Sequence, residues 1–103
     1  MGWPVVLALQ AERDLEEIVR YISRDKPLAA DRFGRAFYAQ AQMLSATPQR
    51  GSPVRGRPHV RALLHEAFYI VSRCDPAEER IVVLRFWHSA RDLTRLRLPQ
   101  KVD

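Results

Sequence analysis

The chain opens on an apolar run, Val5-Val6-Leu7-Ala8-Leu9, too continuous to alternate, which predicts a short strand over residues 4–9. The rhythm then changes. Ala11, Leu15, Ile18, Val19 and Ile22 recur at spacings of 4, 3, 1 and 3, one stripe of a helix that starts near Gln10 or Ala11. Glu12, Asp14, Glu16 and Glu17 crowd its first turns and Arg20 and Arg24 its later ones, the order that suits the helix dipole. Glu16 and Arg20 add an i,i+4 pair in the favourable orientation. Asp25-Lys26-Pro27 breaks this helix, and Pro27 suits the first position of a second one. Ala30, Phe33, Phe37, Ala41 and Leu44 carry its stripe, and it ends by Thr47-Pro48.

Residues 48–58 hold three prolines and two glycines and read as a single loop, with Gly51 and Gly56 as turn residues. Three strands follow, over 60–65, 67–73 and 80–88, with a hairpin turn at 74–79 between the last two. The final strand is apolar on both faces from Ile81 to Leu84, as a central strand is. The tail after Leu98 is short and polar and reads as a frayed end. The order is therefore β-α-α-β-β-β. It predicts an α+β fold, an antiparallel sheet with the helical hairpin packed on one face. The other face is left for solvent or a partner and carries many of the arginines. The 103 residues make one domain, with a core over about 4–98.

Composition narrows the class. Hydrophobic residues are 47% and charged residues 28%, an ordinary globular balance that argues against disorder. No apolar run approaches the roughly 18 residues of a membrane span. The apolar start is too short for a signal peptide and lacks a basic flank. Cys74 is the one cysteine, so no intrachain disulfide forms and a reducing cytoplasm is the expected compartment. The charge is lopsided. Residues 1–47 balance six basic against six acidic side chains, whereas residues 48–103 hold eleven basic and six acidic, so the whole +5 lies there. Such an excess favours anionic partners, nucleic acid or an acidic protein segment.

No metal site is expected, because His59, His65 and His88 lack close-spaced ligand partners. No phosphate loop, dinucleotide fingerprint or nucleophile elbow is present, so no cofactor is expected either. The informative cluster closes the last strand: Arg85-Phe86-Trp87-His88-Ser89-Ala90-Arg91-Asp92. A histidine between two arginines suits phosphodiester chemistry, the imidazole moving a proton and guanidiniums holding phosphate oxygens. Arg61 and Arg73 on neighbouring strands join them if the register permits. The alternative is a histidine that caps the strand end while Arg91 and Asp92 pair locally. Trp87 suits either packing against the core or stacking on a base, and Trp3 is expected to cover a sheet edge. Tyr21, Tyr38 and Tyr69 read as core-edge residues.

The order of elements and the local words together resemble the RelE/ParE superfamily of type II toxin–antitoxin toxins, and its ParE branch in particular. The matching words are Ala11-Glu-Arg-Asp14-Leu15-Glu-Glu-Ile18 with Tyr21-Ile22, then Pro27, Ala30 and Phe33, and Leu44-Ser-Ala-Thr-Pro48-Gln-Arg-Gly51. Arg61, Tyr69-Ile-Val and Ile81-Val-Val-Leu-Arg-Phe-Trp-His88-Ser-Ala-Arg91-Asp92 complete the set, which spans about residues 5–92. The resemblance implies a toxin held inactive by a cognate, ParD-like antitoxin in a hetero-oligomer, with operator DNA reached only through the antitoxin. ParE-like members are understood to poison DNA gyrase and so block replication, by binding rather than bond-making. The expected target- or antitoxin-binding residues are then Arg61, Arg73, Arg85, His88 and Arg91. RelE-like relatives instead cleave mRNA on the ribosome without metal, which would cast His88 as proton shuttle and Arg61 and Arg85 as phosphate clamps. Against the RelE pattern, this chain has only Lys26 and Lys101 as lysines and no tyrosine after Tyr69.

Overall fold

The computed structural model describes residues 2–98; the tail beyond Leu98 lies outside the described residues. Strand β1 (Val5–Leu7) leads into helix α1 (Leu9–Ser23) and helix α2 (Pro27–Gln42), which a 3-10 turn (Met43–Ser45) closes. A two-residue strand β2 (Ser52–Pro53) precedes β3 (Val60–His65), β4 (Phe68–Asp75) and β5 (Arg80–His88), and a second 3-10 turn spans Leu93–Arg95. The last strand has the bounds its apolar run predicts. Helix α1 starts at Leu9 rather than at 10 or 11, since Ala8 takes the extended conformation of an N-cap.

The strands form one sheet in the order β1-β5-β4-β3-β2. The expectation of a wholly antiparallel sheet is corrected at one edge: β1 pairs parallel to β5, Val5 opposite Ile81 and Leu7 opposite Val83. The sheet is mixed because β1 and β5 are joined through the whole helical hairpin and the meander, long enough to return the chain in the same direction. β2 is also new. It forms where the Pro-rich loop runs beside Ala62 and Arg61, and its Pro53 is tolerated at a sheet edge.

Alternation along β5 sorts the core into two layers. Ile81, Val83 and Phe86 face the helices, with Phe37, Ala41, Leu44 and Ile70. Phe37 is the hinge of this layer, stacked on Phe33 at 4.3 Å and meeting Phe68 and Phe86 edge-on at 5.7 and 5.8 Å. Val82, Leu84 and Trp87 point the other way, into a second layer with Val60, Ala62, Val71 and Leu96. The helix-free face is therefore not left bare as expected. The segment after β5 folds back over it, and Leu96 is 1% exposed there. Trp87 packs in this layer, and Trp3 packs against the helix-side core near the β1 edge.

A register shift lies between Val71, opposite Arg85, and Ser72, opposite Val83, so that Leu84 has no residue across from it on β4. This bulge puts Leu84 and Arg85 side by side instead of on opposite faces. It happens where β1 has ended and the edge of β5 is open. Asp14 of α1 fills the gap. Its carboxylate accepts from the Phe86 backbone N–H at 3.0 Å, and takes Arg85 bidentately, Nε at 2.7 Å and Nη2 at 3.0 Å. Gln10 Nε2 adds a fourth donor at 3.1 Å. The pair is largely dry, with side chains 14% and 8% exposed.

Removing one member of such a pair strands the other. Asp14→Ala is expected to cost about 3–5 kcal/mol, which lowers the thermal midpoint of a domain this size by about 15 °C or more. Thermal unfolding followed by circular dichroism checks this. A drop of only a few degrees removes Asp14 from its place in the argument.

Candidate target-binding surface

The five expected contact residues do not converge. Arg85 is committed to Asp14, and its Nη1 also donates to the Arg97 carbonyl at 3.2 Å. Its position is thus a tie between α1, β5 and the C-terminal segment. Arg61 sits opposite Ser72, and its Nη1 donates to the Gly51 carbonyl at 3.0 Å, holding the loop before β2. Arg73 lies between Val60 and Val82 in register, half-buried, on the helix-free side. Arg61 and Arg73 therefore project from opposite faces of the sheet, as residues of odd and even register must.

His88 and Arg91 do share one end of β5. The His88 ring is exposed, meets Phe68 edge-on at 4.9 Å, and its Nδ1 accepts from the Ala90 N–H at 3.0 Å. That bond makes His88 the cap of the strand end. The Arg91 guanidinium lies 3.8 Å from the Trp87 ring centre, and its carbonyl accepts from Trp87 Nε1 at 3.3 Å. Asp92 turns away to cap the following turn. The Thr94 amide hydrogen bond, then the Thr94 hydroxyl, holds its carboxyl below the ordinary carboxylate range. This end of β5 carries an exposed imidazole on the helix side and, on the other face, a guanidinium stacked on an indole. Arg61 is four residues along β4 and two strands away, roughly 16 Å by strand spacing.

Sequence reasoning missed two structural residues. Asp14 had a signal: it continues the buried stripe at Ala11, Asp14 and Ile18, a carboxylate at helical spacing inside an apolar row. Arg57 had none, because its Nη2 donates at 2.6 Å to the Leu96 carbonyl, 39 residues away. The tyrosines also divide. Tyr69 packs beside the helix-free core, whereas Tyr21 and Tyr38, expected at the core edge, are 72% and 52% exposed. Each stands one residue off its apolar stripe, next to Ile22 and Phe37, a rotation of about 100° on a helix. Tyr38 lines a shallow groove between α1 and α2 of about 650 Å³, with Leu15, Val19 and Gly34. No group of metal-ligating side chains occurs among the described residues, and no helix there is long and apolar enough to cross a membrane.

Comparison with known proteins gives the class. Residues 5–93 match the family described as the ParE toxin of the type II toxin–antitoxin system, parDE, and the chain belongs to that family. Its fold is shared with the chromosomal ParDE system of P. aeruginosa, at a TM-score of 0.74 and 23% identity, covering 84% of this chain and 96% of that one. It is also similar to the toxin–antitoxin complex RelBE2 of Mycobacterium tuberculosis, at a TM-score of 0.64 and 25% identity, covering 85% of this chain and 99% of that one. No curated protein sequence gave a significant match. The chain is a type II toxin–antitoxin toxin of the ParE/RelE superfamily.

The geometry separates structural from surface arginines. Arg85→Gln is expected to destabilise on the same scale as Asp14→Ala, about 3–5 kcal/mol, and the two losses should not add in the double variant. Arg91→Gln should cost about 1 kcal/mol or less, the value of an exposed cation–π contact. Denaturant midpoints of the four proteins test this, and additive losses at Asp14 and Arg85 contradict it.

Proposed function

We propose that this toxin acts by binding, with DNA gyrase as its target, and that a ParD-like antitoxin encoded with it holds it inactive. The reading rests on the family and on one observation. The three residues that an endoribonuclease would need around one phosphate are apart: Arg85 is sealed against Asp14, and His88 and Arg61 are at different places on the sheet. A binding toxin needs no such convergence. The end of β5 suits contact with a protein, since it presents the exposed His88 ring on the helix side and, over the packed Trp87, the exposed Arg91 guanidinium on the helix-free side. The toxin would trap gyrase on its DNA and make or break no bond itself. It acts in the cytoplasm, where gyrase is, and reaches operator DNA only through the antitoxin. One of the similar structures is a toxin–antitoxin complex, which supports an antitoxin as the partner.

Pulse-labelling of DNA and protein synthesis in bacteria, in the minutes after induction of the chain without antitoxin, tests the target. DNA synthesis should fall first, and co-expression of the antitoxin should restore it. His88→Ala should weaken the inhibition by a factor of a few. If protein synthesis falls first and His88→Ala abolishes the effect by several orders of ten, the ribosomal endoribonuclease replaces this reading.

A further inference from the structure

Among the described residues, three other than glycine hold a left-handed backbone: His59, Glu66 and Glu79, at φ of 65°, 55° and 50°. An L side chain in that region costs free energy, and the conformation persists only where the surroundings enforce it. His59 and Glu79 lie at the end of the sheet away from His88, and each has a backbone use there. The His59 carbonyl accepts from the Cys74 N–H at 3.3 Å, and the Glu79 N–H donates to the Pro76 carbonyl at 3.2 Å, closing the turn into β5. Glu66 stands at the opposite end. With Ala67 it makes the two-residue turn between β3 and β4, whose last pair is His65 with Phe68. Asparagine, aspartate and glycine are the residues that open such turns without strain, and glutamate is not among them.

The surroundings of the turn give the strained residue a use. Phe68 pairs with His88 on its other side, so His65, Phe68 and His88 form one row across three strands. The Phe68 ring meets the exposed His88 imidazole edge-on at 4.9 Å. Just past this row the Ser89 N–H donates to the Ala67 carbonyl at 2.8 Å, which stitches the turn to the chain leaving β5. Glu66 is therefore exposed, one residue beyond the row that carries His88, in a turn fixed from both sides. Its carboxylate takes part in none of the ion pairs among the described residues, although the chain holds 17 Lys and Arg against 12 Asp and Glu.

We propose that the β3–β4 turn joins the end of β5 in the surface that grips the target, and that the Glu66 carboxylate there meets a lysine or arginine of the target protein beside the His88 ring. This rests on the reading of the chain as a toxin that acts by binding. A turn stitched to β5 fixes the carboxylate before the partner arrives, so little order has to be imposed on contact. The backbone strain is the cost of that placement. A single carboxylate on a surface otherwise rich in cations also sets the register of a charged partner, because a like-charge mismatch is strongly disfavoured.

The experiment compares the wild-type toxin with Glu66→Gln, Glu66→Asn and Glu79→Asn, reading the concentration that half-inhibits supercoiling by purified gyrase and the thermal midpoint of each toxin. Glu66→Gln removes the charge and keeps the strain. It should raise the inhibitory concentration roughly three- to tenfold and leave the midpoint unchanged. Glu66→Asn should lose as much inhibition and melt a few degrees higher, since asparagine tolerates the left-handed region. Glu79→Asn, the same change in the other hairpin, should also melt higher and inhibit like wild type. The gap between wild type and Glu66→Gln should close as salt is raised, which a merely structural role does not produce. Unchanged inhibition in both Glu66 variants overturns the proposal. So does a midpoint that Glu66→Asn fails to raise, or a Glu66→Gln that weakens capture by the antitoxin while inhibition stays intact. If the wild-type toxin leaves gyrase untouched, the gyrase reading fails separately. Growth arrest in bacteria without antitoxin then reads the same variants: weaker arrest by both Glu66 variants upholds the contact with another target, and equal arrest overturns it.

Discussion

The structure depends on how an open strand edge is closed. β1 covers only the first part of β5, and its last pairing is Leu7 with Val83. Beyond that point a buried backbone N–H, that of Phe86, needs an acceptor, and no strand is there to give one. Asp14 supplies it from the first turns of α1. A carboxylate in that place would be costly alone, so Arg85 neutralises it with two parallel hydrogen bonds. The bulge at Leu84 is what brings Arg85 to that edge. From there the guanidinium also reaches the Arg97 carbonyl, and the C-terminal segment is held down over the second core layer. One ion pair thus joins helix, sheet and closing strap.

The excess of arginine in the second half of the chain has to be read against this. Arg85 and Arg57 hold carbonyls of the strap, Arg61 holds a carbonyl of the preceding loop, and Arg80 pairs with Asp75 at 3.4 Å. These side chains fasten irregular backbone that has no ladder of its own, a use for which a five-donor fork is suited. Counting them as a docking surface overstates it. Among the guanidiniums outside these ties, that of Arg91 lies over Trp87 at one end of β5.

Much of the fold was legible because it is periodic. Ala11 to Ile22 and Ala30 to Leu44 repeat at helical spacing, and the two-sided apolar run at 81–84 marks a central strand, so those elements follow from local pattern alone. The same locality hid the rest. Nothing in Val5-Val6-Leu7 says that its partner is Ile81-Val82-Val83 or that the two run parallel, because that pairing is between residues 76 apart. The bulge at Leu84 escapes too, since alternation in an all-apolar run looks the same in either register. For the site, residue types marked Arg85 and His88, with a strand-end cap as the alternative for the histidine, but nothing in them pointed to the partner of Arg85. Burial against Asp14 makes the first a tie, and the Ala90 N–H makes the second a strand cap.

By itself the sequence determined which residues are helical, which are extended and which face an interior, since side-chain periodicity is a property of the local chain. It also carried the family, through the order and spacing of its words. Only the tertiary structure decided what each buried face meets: the parallel edge, the strap over the helix-free side, and the pairing of Asp14 with Arg85. Those are contacts between residues far apart in the chain, and their energy comes from desolvation and hydrogen-bond geometry that no local pattern contains.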